Sequence, residues 1–273
     1  MQSLGDRQKA YEESYDQKII RRIPVIIRVS GCNFHKLTKK LEKPYSITMI
    51  DLMADTMLNV SKEIEGCVFA YQQGNEITFV LRNDQSIHSE PWLNNRIQKI
   101  ASITAAKTTR IFNYLFDSML APPELTGEAV FEAYVFGVPS INETVNNLIY
   151  RQQDCIRRAV TTAVQTELLK QVGKKVSIKI LQGKSISERV NILRTKCNIE
   201  FEEEYSIKFR HGIAAYRVPR IVETPDGQIT RQRWSLDVNI PQFSEDRAFI
   251  IGILNTGRDI FRAGRDLDKD EEL

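Results

Sequence analysis

The order in which apolar spacing changes over the first 140 residues does most to limit the fold. Pro24-Val25-Ile26-Ile27-Arg28-Val29 is β-branched and almost continuously apolar, which predicts a buried strand stopping at Ser30-Gly31. From about 47 to 64 the period switches: Ile47, Ile50, Met53, Ala54, Met57, Leu58 and Val60 share one helical face, with Pro44 just before the start. Cys67–Tyr71 and Ile77–Leu81 are two short strand patterns, and Gly74-Asn75 between them accepts positive φ, so a hairpin is expected. Helical spacing returns from about 95 to 116, then Ala129–Phe136 reads as a strand closed by Gly137 and Pro139.

Strand, helix, hairpin, helix, strand is the ferredoxin-like βαββαβ plan, an antiparallel sheet with helices on one face. The expected class is therefore α+β, with residues 1–140 as a polymerase-palm-like domain. Residues 141–273 form a helical and β-containing C-terminal region packed on it. There, Val145, Leu148, Ile149, Cys155, Ile156, Ala159, Val160 and Ala163 set a helix that Gly173 closes. Ser185 and Glu188 have capping-box spacing. Residues 201–240 alternate like strands around a turn at Pro225-Asp226-Gly227, and a last helix runs from about Glu245 to Ala263. This plan serves many unrelated functions, so fold alone decides nothing about activity.

No apolar run approaches the roughly 18 residues of a membrane span, and the polar N-terminus argues against a secretory signal. Cys32, Cys67, Cys155 and Cys197 are far apart and lack zinc-ligand spacing, so free thiols in a reducing, cytoplasmic compartment are expected. A net charge of +3 is a weak nucleic-acid signal; any RNA surface must come from local clustering. The acid crowded into Asp266–Glu272 reads as a solvated end.

Several segments together resemble the tRNA-His guanylyltransferase family, including its bacterial and archaeal relatives. They are Leu4-Gly5-Asp6-Arg7 with Tyr11-Glu12; Pro24 to His35, ending Gly31-Cys32-Asn33-Phe34-His35; Lys43-Pro44; and the hairpin 70–79. Arg96 with Lys99, and the strand Phe131 to Pro139, follow in the family's order. Most specific are Arg151-Gln152-Gln153-Asp154-Cys155 with Arg157, then Gly183-Lys184-Ser185 and Phe209-Arg210-His211-Gly212. The resemblance covers roughly residues 1–220. It implies a palm that adds nucleotides to the 5′ end of tRNA in the 3′→5′ direction, using GTP or ATP, with two Mg²⁺ ions aligning the triphosphate. It also implies a homo-oligomer, a dimer or tetramer.

Two-metal phosphoryl transfer needs hard anionic oxygens close together. The family supplies an Asp before the glycine at the end of the first strand, and an Asp-Glu pair at the hairpin. Here those positions read Ser30 before Gly31, and Asn75-Glu76. Glu76 is the remaining catalytic carboxylate, and Glu76 with the Gly31 carbonyl is what is left of a metal site. Tyr134 stands where the family has an arginine thought to contact phosphate, and Glu132 where Asp is usual. Lys43, Arg96, Lys99 and Lys184 fall at positions linked to triphosphate handling. Arg151, Gln152, Asp154 and Arg157 form a set either structural or RNA-facing, and Asp154 and Arg158, four apart, are spaced to pair on a helix. His35 reads as a packing residue.

The expectation is a guanylyltransferase-like protein that binds nucleoside triphosphate and tRNA, with two-metal catalysis lost or weakened. The alternative is a non-catalytic nucleotide- or RNA-binding subunit, or the hetero-oligomeric partner of an active homologue.

Overall fold

A computed structural model describes residues 3–86, 88–118, 127–224 and 227–256. The chain enters through α1 (Leu4–Ser14), which buries none of its residues. It continues through β1 (Val25–Cys32), α2 (Ile47–Glu63), β2 (Cys67–Gln73), β3 (Glu76–Leu81), α3 (Ile97–Ser118) and β4 (Val130–Gly137). After α4 (Ile141–Leu181) and α5 (Ile186–Ile192) come β5 (Ile213–Thr224), β6 (Gly227–Asp237) and α6 (Arg247–Thr256). The strands form one antiparallel sheet in the order β4-β1-β3-β2-β5-β6. The later strands β5 and β6 thus extend the sheet that the first four begin.

Alternation along the strands gives the sheet two apolar faces. Val25, Ile27 and Val29 of β1 join Ile77, Phe79 and Leu81 of β3 beneath α2 and α3. Val68, Phe69 and Tyr71 of β2 point the other way, against Val145 and Leu148 of α4 and Phe249 and Ile250 of α6. Helices therefore cover both faces, because the C-terminal region supplies a second layer beyond the one the βαββαβ pattern predicts. That second layer is partial. Over β1 and β4 the same face carries Arg28, Ser30, Glu132 and Tyr134, and Glu132 and Tyr134 are exposed.

Several boundaries differ from the sequence expectation. Strand β1 runs through Ser30-Gly31 to Cys32, since Gly31 and Cys32 pair with Phe131 and Val130. Proline does not start α2; Ser46 caps it, its side chain accepting the Met49 N–H at 3.4 Å. Gly173, at φ 76° and ψ 169°, breaks α4, but the chain resumes helix at once. Residues 201–211 are not strand: Phe201–Glu204 and Ile207–His211 are short helical turns. Phe201, Tyr205 and Phe209, each four residues apart, meet through tilted ring contacts at Tyr205, and Phe209 stacks on Tyr45, which favours helical spacing there. The capping box of Ser185 and Glu188 forms as expected. Pro225 and Asp226, the chain beyond Thr256 and the acidic end lie outside the described residues.

Among the described residues no helix is long and apolar enough to cross a membrane.

Candidate active site

The two-residue turn at Gly74-Asn75 sets the site. It registers Glu76, the first residue of β3, directly opposite Ser30 of β1, while Glu132 of β4 faces Ser30 from the other side. Glu132, Ser30 and Glu76 therefore form a row across three strands, on the face that α4 partly covers. Ser30 donates its hydroxyl to Glu132 Oε1 at 3.1 Å. Asn75 donates its amide to the Gly31 carbonyl at 3.2 Å, and the Gly31 N–H returns a bond to the Asn75 carbonyl at 3.0 Å.

Glu76 is buried and surrounded by cations. Arg28 Nη1 lies 3.9 Å from Oε1, Arg151 Nη1 3.6 Å from Oε2 and Arg158 Nη2 3.4 Å from Oε1. Arg28 neighbours Ser30 on the same strand face, and its guanidinium also lies 4.7 Å from the centre of the Tyr134 ring. Arg151 and Arg158 are two turns apart on α4, which is why both reach one carboxylate. Asp154, between them, accepts a 2.8 Å bond from Arg158 Nε and a short one from Arg157.

These residues do not fit a pair of Mg²⁺ ions. Two carboxylates, Glu76 and Glu132, would have to balance two divalent cations, and one lone pair of the Gly31 carbonyl already accepts the Asn75 amide. Each guanidinium some 4 Å from such an ion repels it by roughly 4 kcal/mol per unit of ionic charge at an effective dielectric near 20. Among the described residues no three His, Cys, Asp or Glu side chains gather as a metal centre.

Two openings flank this row. A cavity of about 610 Å³ runs from Gly31 and Asn75 past His35 and Lys43 to Tyr45 and Lys208. Among the described residues Lys43 reaches the Thr38 carbonyl alone, at 3.4 Å; Lys208 pairs with Asp51 at 2.9 Å. On the other side a cleft of about 670 Å³ is lined by Arg157, Arg158, Thr161, Lys184 and Arg189. Lys184 pairs with Glu188 at 2.8 Å, and Arg189 donates to Thr161 at 2.7 Å.

The fold thus brings together Ser30, Gly31, Asn75, Glu76, Arg151, Asp154, Arg157 and, across the cleft, Lys184. It separates Arg96 and Lys99. Arg96 pairs with Asp16 at 2.8 Å, where α3 begins beside Gln17 and Lys18. The far end of α3 is the one near Ser30, because Asn113 bonds Ala129 at the start of β4. Gln152 turns inward: it donates to the Pro241 carbonyl at 3.0 Å and accepts the Phe243 N–H at 2.6 Å. Arg28 is the site residue that sequence reading passed over, and its position two residues before Ser30 on the same strand face is the signal that could have found it.

The tRNAHis guanylyltransferase family matches residues 5–139. The chain is 30% identical over 183 residues to uncharacterized protein R259 of Acanthamoeba polyphaga mimivirus, covering 58% of this chain and 61% of that protein. It is 25% identical to tRNA(His) guanylyltransferase 1 of Arabidopsis thaliana, over 75% of this chain and 35% of that one. A solved bacterial tRNA(His) guanylyltransferase-like protein in complex with ATP superposes with a TM-score of 0.77, at 28% identity, covering 92% of this chain and 99% of that one. The chain belongs to the tRNA-His guanylyltransferase family. Within that family it spans less than two thirds of the two curated relatives just named, and nearly the whole of the bacterial structure.

Proposed function

We propose that the protein binds a nucleoside triphosphate and tRNA as a guanylyltransferase-like member of the 3′→5′ nucleotide-addition family, with two-metal catalysis lost or strongly weakened. The observation that carries this reading is the ring of Arg28, Arg151 and Arg158 around Glu76, in the place where Mg²⁺ would need carboxylates. The strand order β4-β1-β3-β2 with α2 and α3 supports a palm-like, ferredoxin-like unit over 1–140, on which 141–273 packs. ATP in the bacterial relative supports GTP or ATP as ligand here.

In this reading Glu76 marks the degenerate catalytic position. The cavity beside Gly31 and Lys43 receives the nucleotide, and its phosphates lead toward the arginines. Arg157, Arg158 and Lys184 face the RNA end across the second cleft. Arg96 and Lys99, at the other end of α3, act on phosphate only if a second chain brings its own site to them, which agrees with the homo-oligomer the family resemblance implies. The cytoplasm, where tRNA is processed, is the proposed location.

The test is incorporation of labelled GTP at the 5′ end of a monophosphorylated tRNA, with Mg²⁺ and with Mn²⁺, alongside equilibrium binding of GTP and of the tRNA. Binding without incorporation is the expected result. Efficient metal-dependent incorporation overturns the loss of catalysis, and absence of both binding signals overturns the whole reading.

A further inference from the structure

We propose that Arg28, Arg151 and Arg158 take the phosphate chain of a nucleoside triphosphate directly, with no divalent cation between protein and ligand. The inference rests on the nucleotide-binding reading above and assigns those three side chains the place of the metal ions.

The first argument is charge. Arg28, Arg151, Arg158 and Arg157 converge on two buried carboxylates, Glu76 and Asp154; the third nearby acid, Glu132, is exposed and bonded to Ser30. Guanidinium excess in a half-buried cleft is stabilised by an anion that enters from solvent.

The second argument is bond length. An arginine committed to a carboxylate holds it at about 2.7–2.9 Å. The three contacts to Glu76 are 3.4, 3.6 and 3.9 Å, so Glu76 gathers these arginines without saturating them. Among the described residues, the buried Arg151 Nε has no acceptor and Glu76 Oε2 has no donor within hydrogen-bonding range. Each guanidinium carries five donors, and a phosphate oxygen arriving from the open side over β4 would find several pointing toward it.

The third argument is shape. The open half of the face lies over Arg28 and Tyr134, while α4 stands beside it with Arg151 and Arg158. A chain of phosphates lying along that step meets arginine from the floor and from the wall. Glu76 then acts as a placeholder that keeps the arginines in position and competes with the ligand.

That competition gives the two mechanisms opposite signs. Where Glu76 holds metal, Glu76→Gln destroys triphosphate binding. Where Glu76 competes for arginine, the same change strengthens it. The experiment is calorimetric titration of the full chain with GTP and, separately, with inorganic triphosphate, each in EDTA and in Mg²⁺.

The expected result is binding of both ligands in EDTA, with Glu76→Gln tightening it and Arg158→Ala weakening it roughly tenfold. Arg158→Lys should recover only part of the loss, since lysine lacks the forked donor pair. Arg158 is half-exposed, so its variants test the idea even if Glu76→Gln fails to fold. Binding that appears only with Mg²⁺, or an Arg158→Ala protein that binds as wild type in EDTA, overturns the inference while leaving nucleotide binding intact. GTP incorporation with Mg²⁺ would overturn the loss of catalysis and this inference together, whereas binding that needs Mg²⁺ without incorporation overturns this inference alone.

Discussion

Asn75 and Gly31 are joined by two hydrogen bonds, the amide of Asn75 to the Gly31 carbonyl at 3.2 Å and the Gly31 N–H to the Asn75 carbonyl at 3.0 Å. The pair ties the hairpin turn to the end of β1, where the family places two of its metal-binding carboxylates. An aspartate at 75 could not make the first of these bonds, because a carboxylate only accepts. At this position the neutral amide makes a structural contact between turn and strand.

Restoring acid tests how far the site has moved. Ser30→Asp with Asn75→Asp should raise Mn²⁺ affinity by at least roughly tenfold over wild type, since the two added carboxylates, with Glu76 and Glu132, outnumber the three guanidiniums around Glu76. It should also cost about 1 kcal/mol of stability from the lost amide bond. Titration with Mn²⁺ followed by paramagnetic resonance reads the first, and urea unfolding the second. Unchanged Mn²⁺ affinity in a folded double variant would mean that the arginines alone prevent metal binding.

Gly31 is constrained by packing. A Cβ added there would stand 2.1 Å from Cδ2 of Phe34. That ring cannot withdraw, because it lies edge-on to Phe112 and Phe131 at 5.5 and 5.2 Å. Gly31→Ala should therefore destabilise the fold by about 1–3 kcal/mol, the usual cost of overpacking. It should also narrow the cavity that Gly31 lines. A denaturation midpoint equal to that of wild type would show that β1 yields there instead.

The periodic segments were legible because their burial is local. The switch from period 2 to period 3.6 placed β1 to β4 and both helices beneath them within a few residues. Ser30, Asn75 and Glu76 could be placed together because a two-residue turn leaves little freedom in register. The arginine ring was not legible. Arg28 is far in sequence from Arg151 and Arg158, and that α4 crosses the sheet face beside β1 depends on α6 and on the loop at Pro241–Phe243. Arg158 in particular has a local explanation, its pairing with Asp154, which is also present and which hides the longer reach to Glu76.

Gln152 separates a structural motif from an RNA-facing one. Its side chain satisfies the Pro241 carbonyl and the Phe243 N–H while only 2% exposed. Phe243 in turn fills the core between Phe69, Tyr71 and Phe249. Gln152→Ala leaves both backbone groups without partners, at about 1–3 kcal/mol each. The expected outcome is a large fall in unfolding free energy with tRNA affinity unchanged under conditions where the variant stays folded. A variant with normal stability and weakened tRNA binding would reverse the assignment.

His211 should make stability depend on pH. Burial, reinforced by the neighbouring Arg210, holds its imidazole below the ordinary value of 6.5, with Glu245 opposing weakly. Its backbone carbonyl accepts the Tyr71 hydroxyl at 2.7 Å, and Gly212 beside it (φ +79°) passes so close to Gln72 that no side chain fits. The backbone that carries the ring is therefore held in place on both sides. Between 6.5 and the lower folded value the unfolded chain binds the proton and the folded chain does not, so stability rises with pH across that window and is lost as pH falls through it. One such group contributes a slope of at most about 1.4 kcal/mol per pH unit. Urea unfolding at a series of pH values from neutrality downward should show a shallower slope for His211→Gln than for wild type. Parallel curves would mean that the imidazole titrates equally in both states.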